Sequence, residues 1–247
     1  MLRVLIPILL LIFSAPAVLA YDKGDYDRDG INNYDEQAVY FTNAWSPDTD
    51  GDGYGDKEEL VNGYSPYVKG KIKLEDSDFD NDGLSDRMEL NFHLDPTDPD
   101  TDKDGYSDGE EIKNAYNPLV PGNQKLEKRI EINTTKQELD YFLGGVRLGR
   151  LVISSGKPSM PTPKGHFTIG NKITKAWSRA YGLWMPYWMG MAGTRFGIHE
   201  LPEWPNGYKE GANHLGIAVS HGCIRLGVGP AKSLYSWAEV GTKVYIH

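Results

Sequence analysis

The side chain best suited to covalent chemistry in this sequence is Cys223, the one cysteine of the 247-residue chain. A cysteine acts as a nucleophile when a histidine, a cation or backbone amides support its thiolate. His221 lies two residues before Cys223 and Arg225 lies two residues after it. Gly222 between them lets a backbone amide approach a developing oxyanion. The pattern predicts a thiol nucleophile that attacks a carbonyl group.

The histidine that would accept the thiol proton is not fixed by spacing alone. His199 and His214 both precede the cysteine in the sequence, and a folded chain could bring either one to it. Two plainer interpretations stay open: an inert, buried cysteine with structural histidines, or a zinc site built from Cys223 and these histidines. No paired C-x-x-C or H-x-x-x-H spacing favours zinc.

A second set of chemical groups repeats four times in the first half of the chain. Each 12-residue segment carries oxygen ligands at positions 1, 3, 5, 9 and 12 and glycine at position 6. Alternating carboxylates converge on one point when glycine lets the loop turn, and glutamate at position 12 suits calcium. The predicted ligands are Asp25, Asp27, Asp29, Asn33 and Glu36; Asp48, Asp50, Asp52, Asp56 and Glu59; Asp78, Asp80, Asp82, Asp86 and Glu89; and Asp100, Asp102, Asp104, Asp108 and Glu111.

The loops differ from EF-hand loops in one position. Position 7, rather than position 8, carries the large apolar side chain, and prolines in the connectors leave no room for two long helices per loop. The region therefore resembles thrombospondin type 3 calcium repeats, which implies structural calcium and a region of short helices and loops. The alternative is an acidic linker that only keeps the protein soluble.

The charge distribution divides the chain in two. Residues 21–111 contain 27 acidic and 8 basic side chains, whereas residues 112–247 contain 8 acidic and 17 basic ones. The net charge of −9 argues against a general nucleic-acid binder. We expect acidic repeats over 21–117, a linker over 118–127 and a catalytic domain over 128–247. An acidic surface of this kind also suits a protein partner.

The first 20 residues have the features of an export signal. Arg3 is followed by an apolar run over 4–13 and by small residues over 14–20 that suit cleavage. An uncleaved anchor is the alternative. Cleavage predicts a protein exported to the periplasm or cell envelope, without a stable membrane span.

Short strand-like runs are typical of the basic half. They cover residues 128–133, 150–156, 166–169, 188–199 and 243–246, and only residues 231–238 look helical. Short strands with scarce helix predict a mainly β fold, either a sandwich or a barrel.

The segment 220–225, Ser-His-Gly-Cys-Ile-Arg, together with Gly197-Ile198-His199, resembles the L,D-transpeptidase catalytic domain, also called the YkuD domain. The resemblance covers about 128–247 and implies a β-sandwich with the cysteine in a cleft. It implies these catalytic residues: Cys223 as nucleophile, His199 as general base, the Glu200 carbonyl as the group that orients the imidazole, with His221 and Gly222 beside them. The substrate-binding residues that we predict are Ser220, Arg225, Trp188 and Tyr187.

The resemblance also implies a reaction. Cys223 would attack a diamino acid to D-alanine bond in a peptidoglycan tetrapeptide stem, releasing D-alanine and leaving a thioester. An amine acceptor would then give a 3-3 cross-link, whereas water would make the protein an L,D-carboxypeptidase. No catalytic cofactor is implied. A non-catalytic, calcium-dependent wall-binding protein remains the alternative outside enzymes. The stretch from His199 to Ser220 is a few residues longer than the family's usual spacing, and the insertion 201–211 should bulge at the cleft mouth.

Overall fold

The computed structural model describes residues 23–247, which fall into two compact units that divide between Asp98 and Pro99. The predicted export signal, residues 1–20, lies outside the described residues. Within 23–247, no helix combines the length and the apolar character that a membrane crossing requires.

Each acidic loop leads into a short helix that begins at position 9 of the repeat. Because position 12 then falls in the first helical turn or directly after it, the side chains of positions 9 and 12 are carried back toward the loop, and both are buried in every repeat. The prediction of short helices and loops is confirmed. The helices are α1 (Asn33–Asp35), continued by a π-helical turn (Glu36–Tyr40), α2 (Asp56–Asn62), α3 (Asp86–Phe92) and α4 (Asp108–Lys113).

The segments that follow α2 and α4 share one folded arrangement. After α4, Tyr116 pairs with Lys125 in a β-bridge, and the Lys125 Nζ donates to the Asn114 carbonyl at 2.8 Å while lying 4.0 Å from the centre of the Tyr116 ring. After α2, Tyr64 and Lys73 form the same bridge and the same cation–π contact. Two of the four repeats therefore carry an ordered tail.

This tail includes the segment 118–127 that composition predicts as a linker. The Gly122 amide donates to Asp104 Oδ2 at 2.8 Å, which ties the segment to the fourth acidic loop. The fourth loop also belongs to the unit that begins at Pro99, whereas the charge distribution places the division near 112–125. Counting charges cannot detect the backbone hydrogen bonds that hold this loop and its tail together.

Eight strands close into a ring in the carboxy-terminal unit, and the prediction of a mainly β fold is confirmed. The order around the ring is β1-β2-β3-β7-β6-β5-β4-β8, with β6–β7 and β1–β8 parallel and the other pairs antiparallel. The strands are β1 (Lys128–Asn133), β2 (Glu138–Leu143), β3 (Val146–Ser154), β4 (Gly165–Ser178), β5 (Leu183–Met191), β6 (Gly197–Glu200), β7 (Ile224–Leu226) and β8 (Lys243–Ile246).

The core of this unit is aliphatic and fixes the central strands. Ile198 of β6 and Ile224 of β7 pair with each other, and both are fully buried. Helix α5 (Pro230–Trp237) lies against β5 and β6 and adds Ala231 and Leu234 to the core. Because Ile198 and Ile224 are paired and buried in this core, their packing sets the register of β6 against β7.

The strand predictions for 128–133 and 243–246 match β1 and β8. The run 188–199 is divided between β5 and β6 because Gly193, with φ of 72°, and Thr194 form a turn between them. Strand β4 extends to Ser178, beyond the predicted 166–169, because it pairs along its length with β5.

Candidate functional site

The parallel pairing of β6 with β7 brings the predicted base and nucleophile together. His199 of β6 lies opposite Arg225 of β7, so Cys223 occupies the position just before the first paired residue of β7. The backbone amide of Gly197 is close enough to the Cys223 sulfur to lower the pKa of the thiol. Two short strands with a fixed register therefore determine where the thiol and the imidazole lie.

The two side chains share one cleft, which we call the Cys223 cleft, with a volume of about 180 Å³. Of the residues predicted from sequence, Cys223, His199, His221, Ser220 and Arg225 line it. The remaining lining residues are Tyr181, Leu183 and Met185, together with Pro202, Trp204 and Glu210 from the insertion that the sequence predicts at the cleft mouth.

The His199 ring is held by a neighbouring carbonyl. Its Nδ1 lies 2.5 Å from the Glu200 carbonyl oxygen, an acceptor, so Nδ1 carries the proton and donates. Nε2 is then the basic nitrogen. Burial, with a smaller contribution from the Arg225 charge, lowers the pKa of His199 to about 4 against the raising effect of the Glu200 carbonyl. The imidazole is neutral at neutral pH.

The thiol is also neutral at rest. Burial raises the pKa of Cys223, and the Gly197 amide and the Arg225 charge only partly oppose this effect. A neutral thiol beside a neutral imidazole favours proton transfer during attack over a preformed thiolate–imidazolium pair.

The loop before the nucleophile is fastened by its own hydrogen bonds. The Ser220 hydroxyl donates to the Cys223 carbonyl at 2.5 Å, and the Gly222 amide donates to Ser220 Oγ at 3.1 Å. The Gly222 amide is therefore engaged within the loop. The glycine itself is required, because its φ is 110° and a Cβ there would lie 2.3 Å from Phe196 Cε1.

His221 and Arg225 occupy different depths of the cleft. His221 is exposed and stacks on Tyr181, with ring centroids 4.6 Å apart. Arg225 is only 8% exposed, and its guanidinium forms no ion pair with the carboxylates that the structure describes. A buried cation without an anionic partner is costly, so this group suits an anionic part of a ligand.

The insertion 201–211 forms a cap on the cleft, as expected from its position. Glu203 pairs through its backbone with Trp184 of β5 and with Lys209, so the cap extends the sheet. Lys209 also forms an ion pair with the buried Glu200 side chain. The cap contributes three of the cleft residues: Pro202, Trp204 and Glu210.

Two predicted substrate-binding residues, Tyr187 and Trp188, do not line the Cys223 cleft. Tyr187, with φ of 52°, packs against Tyr235 of α5 with ring centroids 5.7 Å apart. Trp188 stacks on the His199 ring, with centroids 5.9 Å apart, and donates from Nε1 to Asn171 Oδ1 at 3.2 Å. Trp188 therefore contacts the candidate base, whereas Tyr187 faces α5.

The alternative base and the zinc alternative find no support in this geometry. His214 lies in a 3-10 turn (Ala212–His214) and does not line the cleft. Among residues 23–247, the side-chain clusters compact enough to hold a metal ion are all acidic, and none includes Cys223 or a histidine.

The acidic loops bring carboxylates of positions 1, 3 and 5 together, with one oxygen of each within 4.8 Å of the others in all four repeats. In the second loop, Asp48 accepts the Gly53 amide at 2.9 Å and Asp52 accepts the Tyr54 amide at 2.8 Å. These hydrogen bonds bend the chain around the carboxylates, and the turn falls at Gly53, whose φ is 100°.

Oxygens at positions 3 and 12 are buried without a hydrogen-bond donor. In the second loop they are Asp50 Oδ2 and Glu59 Oε2, and burial followed by repulsion from nearby aspartates raises the pKa of Glu59 to about 8. The same causes raise the pKa of Glu36 and Glu111 to about 7. Buried, mutually repelling carboxylate oxygens fit a hard divalent cation such as calcium.

The side chain at position 9 also holds the start of its own loop. Asp56 accepts the Thr49 amide at 2.8 Å and the Thr49 hydroxyl at 2.6 Å. In the first repeat Asn33 accepts the Tyr26 amide at 3.0 Å, so this contact does not require a charge. The Asp56 carboxylate lies in addition with Asp29 and Glu36 in a group compact enough to hold a metal ion.

Comparison with known families agrees with this division of the chain. Residues 127–246 match the model of the L,D-transpeptidase catalytic domain, YkuD, and residues 48–63, 78–99 and 100–114 match the model of the bacterial TSP3 repeat. No curated protein matches the chain.

Solved structures of L,D-transpeptidases are similar to about half of this chain. L,D-transpeptidases from Mycobacterium smegmatis, Stackebrandtia nassauensis and Enterococcus faecium are 24%, 25% and 28% identical, with TM-scores of 0.43, 0.42 and 0.40. They match over 51%, 49% and 53% of this chain and 60%, 55% and 51% of theirs, so the chain spans less than two thirds of their length. On the family models, residues 127–246 belong to the YkuD family of L,D-transpeptidase catalytic domains and follow bacterial thrombospondin type 3 repeats.

Proposed function

We propose that the protein is an exported, cysteine-dependent L,D-transpeptidase that acts on peptidoglycan stem peptides and is stabilised by calcium in its repeats. The observation that carries this proposal is the neutral His199, fixed through Nδ1 to the Glu200 carbonyl, in the same cleft as Cys223. The match to the YkuD family supports the acyl-transfer chemistry.

The acylation step follows from these two side chains. As the Cys223 sulfur attacks the carbonyl carbon of the diamino acid to D-alanine bond, its proton passes to His199 Nε2. The carbon–nitrogen bond breaks and the same proton goes to the departing D-alanine amine. The acyl group remains on sulfur as a thioester.

The second step regenerates the thiol. A side-chain amine of another stem attacks the thioester, its proton is taken by His199, and the sulfur leaves to recover the proton. The product is a 3-3 cross-link. Water in place of the amine would give an L,D-carboxypeptidase.

Calcium has a structural role in this proposal. In each repeat the residues at positions 1, 3, 5 and 12 would hold the ion, and its charge would offset the repulsion among the buried carboxylates. The ion supplies folding energy to the repeats, and the chemistry stays with Cys223 and His199.

The first test is product analysis of peptidoglycan fragments by mass spectrometry. The wild-type mature chain in calcium is expected to release D-alanine from tetrapeptide stems and to form cross-linked dimers, whereas Cys223→Ala is expected to form neither. Tripeptide monomers without dimers would identify a carboxypeptidase. Unchanged tetrapeptides with a folded wild-type protein would contradict the proposal.

The second test identifies the base. His199→Gln is expected to reduce the acylation rate by about 10²- to 10⁴-fold, because Gln cannot take the thiol proton. His214→Gln, a histidine outside the cleft, is the matched control and is expected to retain the rate. A loss in His214→Gln equal to that in His199→Gln would contradict the assignment.

The pH dependence checks the same base independently. Since the pKa of His199 is about 4, its neutral form persists well below neutrality. We expect kcat/KM for acylation to remain level from about pH 7.5 down to about pH 5.5, instead of falling through the usual histidine pKa of about 6.5. A fall centred near that usual value would show that a different group, or an exposed His199, is the base.

The calcium assignment is tested with two neighbouring carboxylates. Glu59→Gln is expected to lose one bound calcium ion and part of the calcium-induced rise in Tm, because it removes a buried ligand charge. Glu58→Gln, at an exposed position beside it, is the matched control and is expected to bind calcium as the wild type does. Calorimetric titration and thermal unfolding give the readouts. Equal losses in Glu58→Gln and Glu59→Gln would contradict the assignment of Glu59 as a ligand.

A further inference from the structure

The cap 201–211 contains acidic side chains with different surroundings. Glu203 pairs with Lys175 at 2.6 Å, and Glu200, just before the cap, pairs with Lys209. Glu210 forms no ion pair with the cations that the structure describes. The carboxylates of Glu200 and Glu203 are therefore each neutralised by a lysine, whereas the Glu210 carboxylate has no cation paired with it among the described residues.

Glu210 is directed into the Cys223 cleft. Its Oε2 accepts a hydrogen bond from Trp204 Nε1 at 2.9 Å, which fixes the carboxylate at the wall of the cleft. The bond occupies one oxygen only, so the carboxylate retains acceptor sites and its full charge for a ligand. A charge that is half-buried and held in place is suited to recognise a cation.

Arg225 lies in the same cleft and carries the opposite charge. The two groups do not form an ion pair with each other, although the Glu210 charge acts on Arg225 from within the cleft. Two opposite charges that remain apart in one small cleft leave room for a ligand that bears both signs.

We propose that Glu210 and Arg225 together bind a zwitterionic group of the donor peptide. The Glu210 carboxylate accepts from a free ammonium group, and the Arg225 guanidinium donates to the carboxylate beside it. The chemical class is a stem peptide whose third residue ends in an amino-carboxylate centre, as distinct from one that ends in an amine alone. This inference rests on the proposed function, which supplies the stem peptide as donor.

The test measures binding without chemistry, by calorimetry of synthetic donors with the Cys223→Ala chain in calcium. Three tetrapeptides are compared, which differ only at the end of the third-residue side chain. The free donor ends in an amino-carboxylate centre. The acetylated donor has the amine of that centre acetylated, and the carboxamide donor has its carboxylate replaced by a carboxamide. We expect the acetylated donor and the carboxamide donor each to bind roughly tenfold more weakly than the free one.

Charge removal on the protein side completes a double-mutant cycle. The double variant Cys223→Ala, Glu210→Gln retains an acceptor for Trp204 Nε1. It is expected to bind the free and the acetylated donor equally well, and still to bind the free donor more tightly than the carboxamide donor. Glu210→Asp is expected to restore the amine preference. Glu203→Gln, which removes a carboxylate of the same cap outside the cleft, is the matched control and is expected to bind all three donors as the Cys223→Ala chain does.

Two results would overturn the proposal: an amine preference that survives Glu210→Gln, or equal binding of all three donors to the Cys223→Ala chain. Failure of the proposed function is distinguishable. Selective binding with no D-alanine release by the wild-type chain would contradict the proposed enzymatic function and support the binding role of Glu210 and Arg225. D-alanine release without selective binding would support the enzymatic function and contradict that binding role.

Discussion

The candidate active site depends on the parallel pairing of β6 with β7. Because Ile198 and Ile224 are both buried and paired, neither strand can slip by a residue without moving an aliphatic side chain out of the core. That register places His199 and Cys223 on the face of the pair opposite to these isoleucines, where both line the Cys223 cleft. The carbonyl of Glu200, the last residue of β6, then fixes the imidazole. Core packing thus positions the groups to which we assign the chemistry.

The repeats depend on a different constraint, which is electrostatic. Their loops gather carboxylates whose backbone hydrogen bonds are satisfied on one side and whose remaining oxygens are buried without donors. Burial, followed by repulsion from the neighbouring aspartates, raises the pKa of Glu36, Glu59 and Glu111. A bound cation would turn the same repulsion into a source of stability. The segment 116–126 belongs to the last of these repeats, so the repeat region continues closer to β1 than its composition indicates.

The sequence predicted the parts of the site that depend on local spacing. The segment 220–225 and His199 led to the cleft, and the acidic template led to the four loops. It failed where the outcome depends on tertiary packing. Tyr187 was predicted to bind substrate, but its positive φ and its contact with Tyr235 direct it toward α5. Trp188, predicted with it, stacks on His199 outside the cleft.

The residues that sequence reasoning missed lie on the cap and on the start of β5. Glu210 carries no motif, and its importance arises only when the ion pairs of Glu200 and Glu203 are known. The sequence template also did not show that position 9 holds the start of its own loop, a role that Asn33 fills without a charge in the first repeat.

The most direct test of the central claim is intact-protein mass spectrometry of the mature chain after rapid acid quenching with a tetrapeptide donor. The account predicts a mass gain equal to the donor minus D-alanine, located on the peptide that contains Cys223 and formed more slowly by His199→Gln. D-alanine release without this adduct at any quench time, or an adduct that persists in Cys223→Ala, would contradict it.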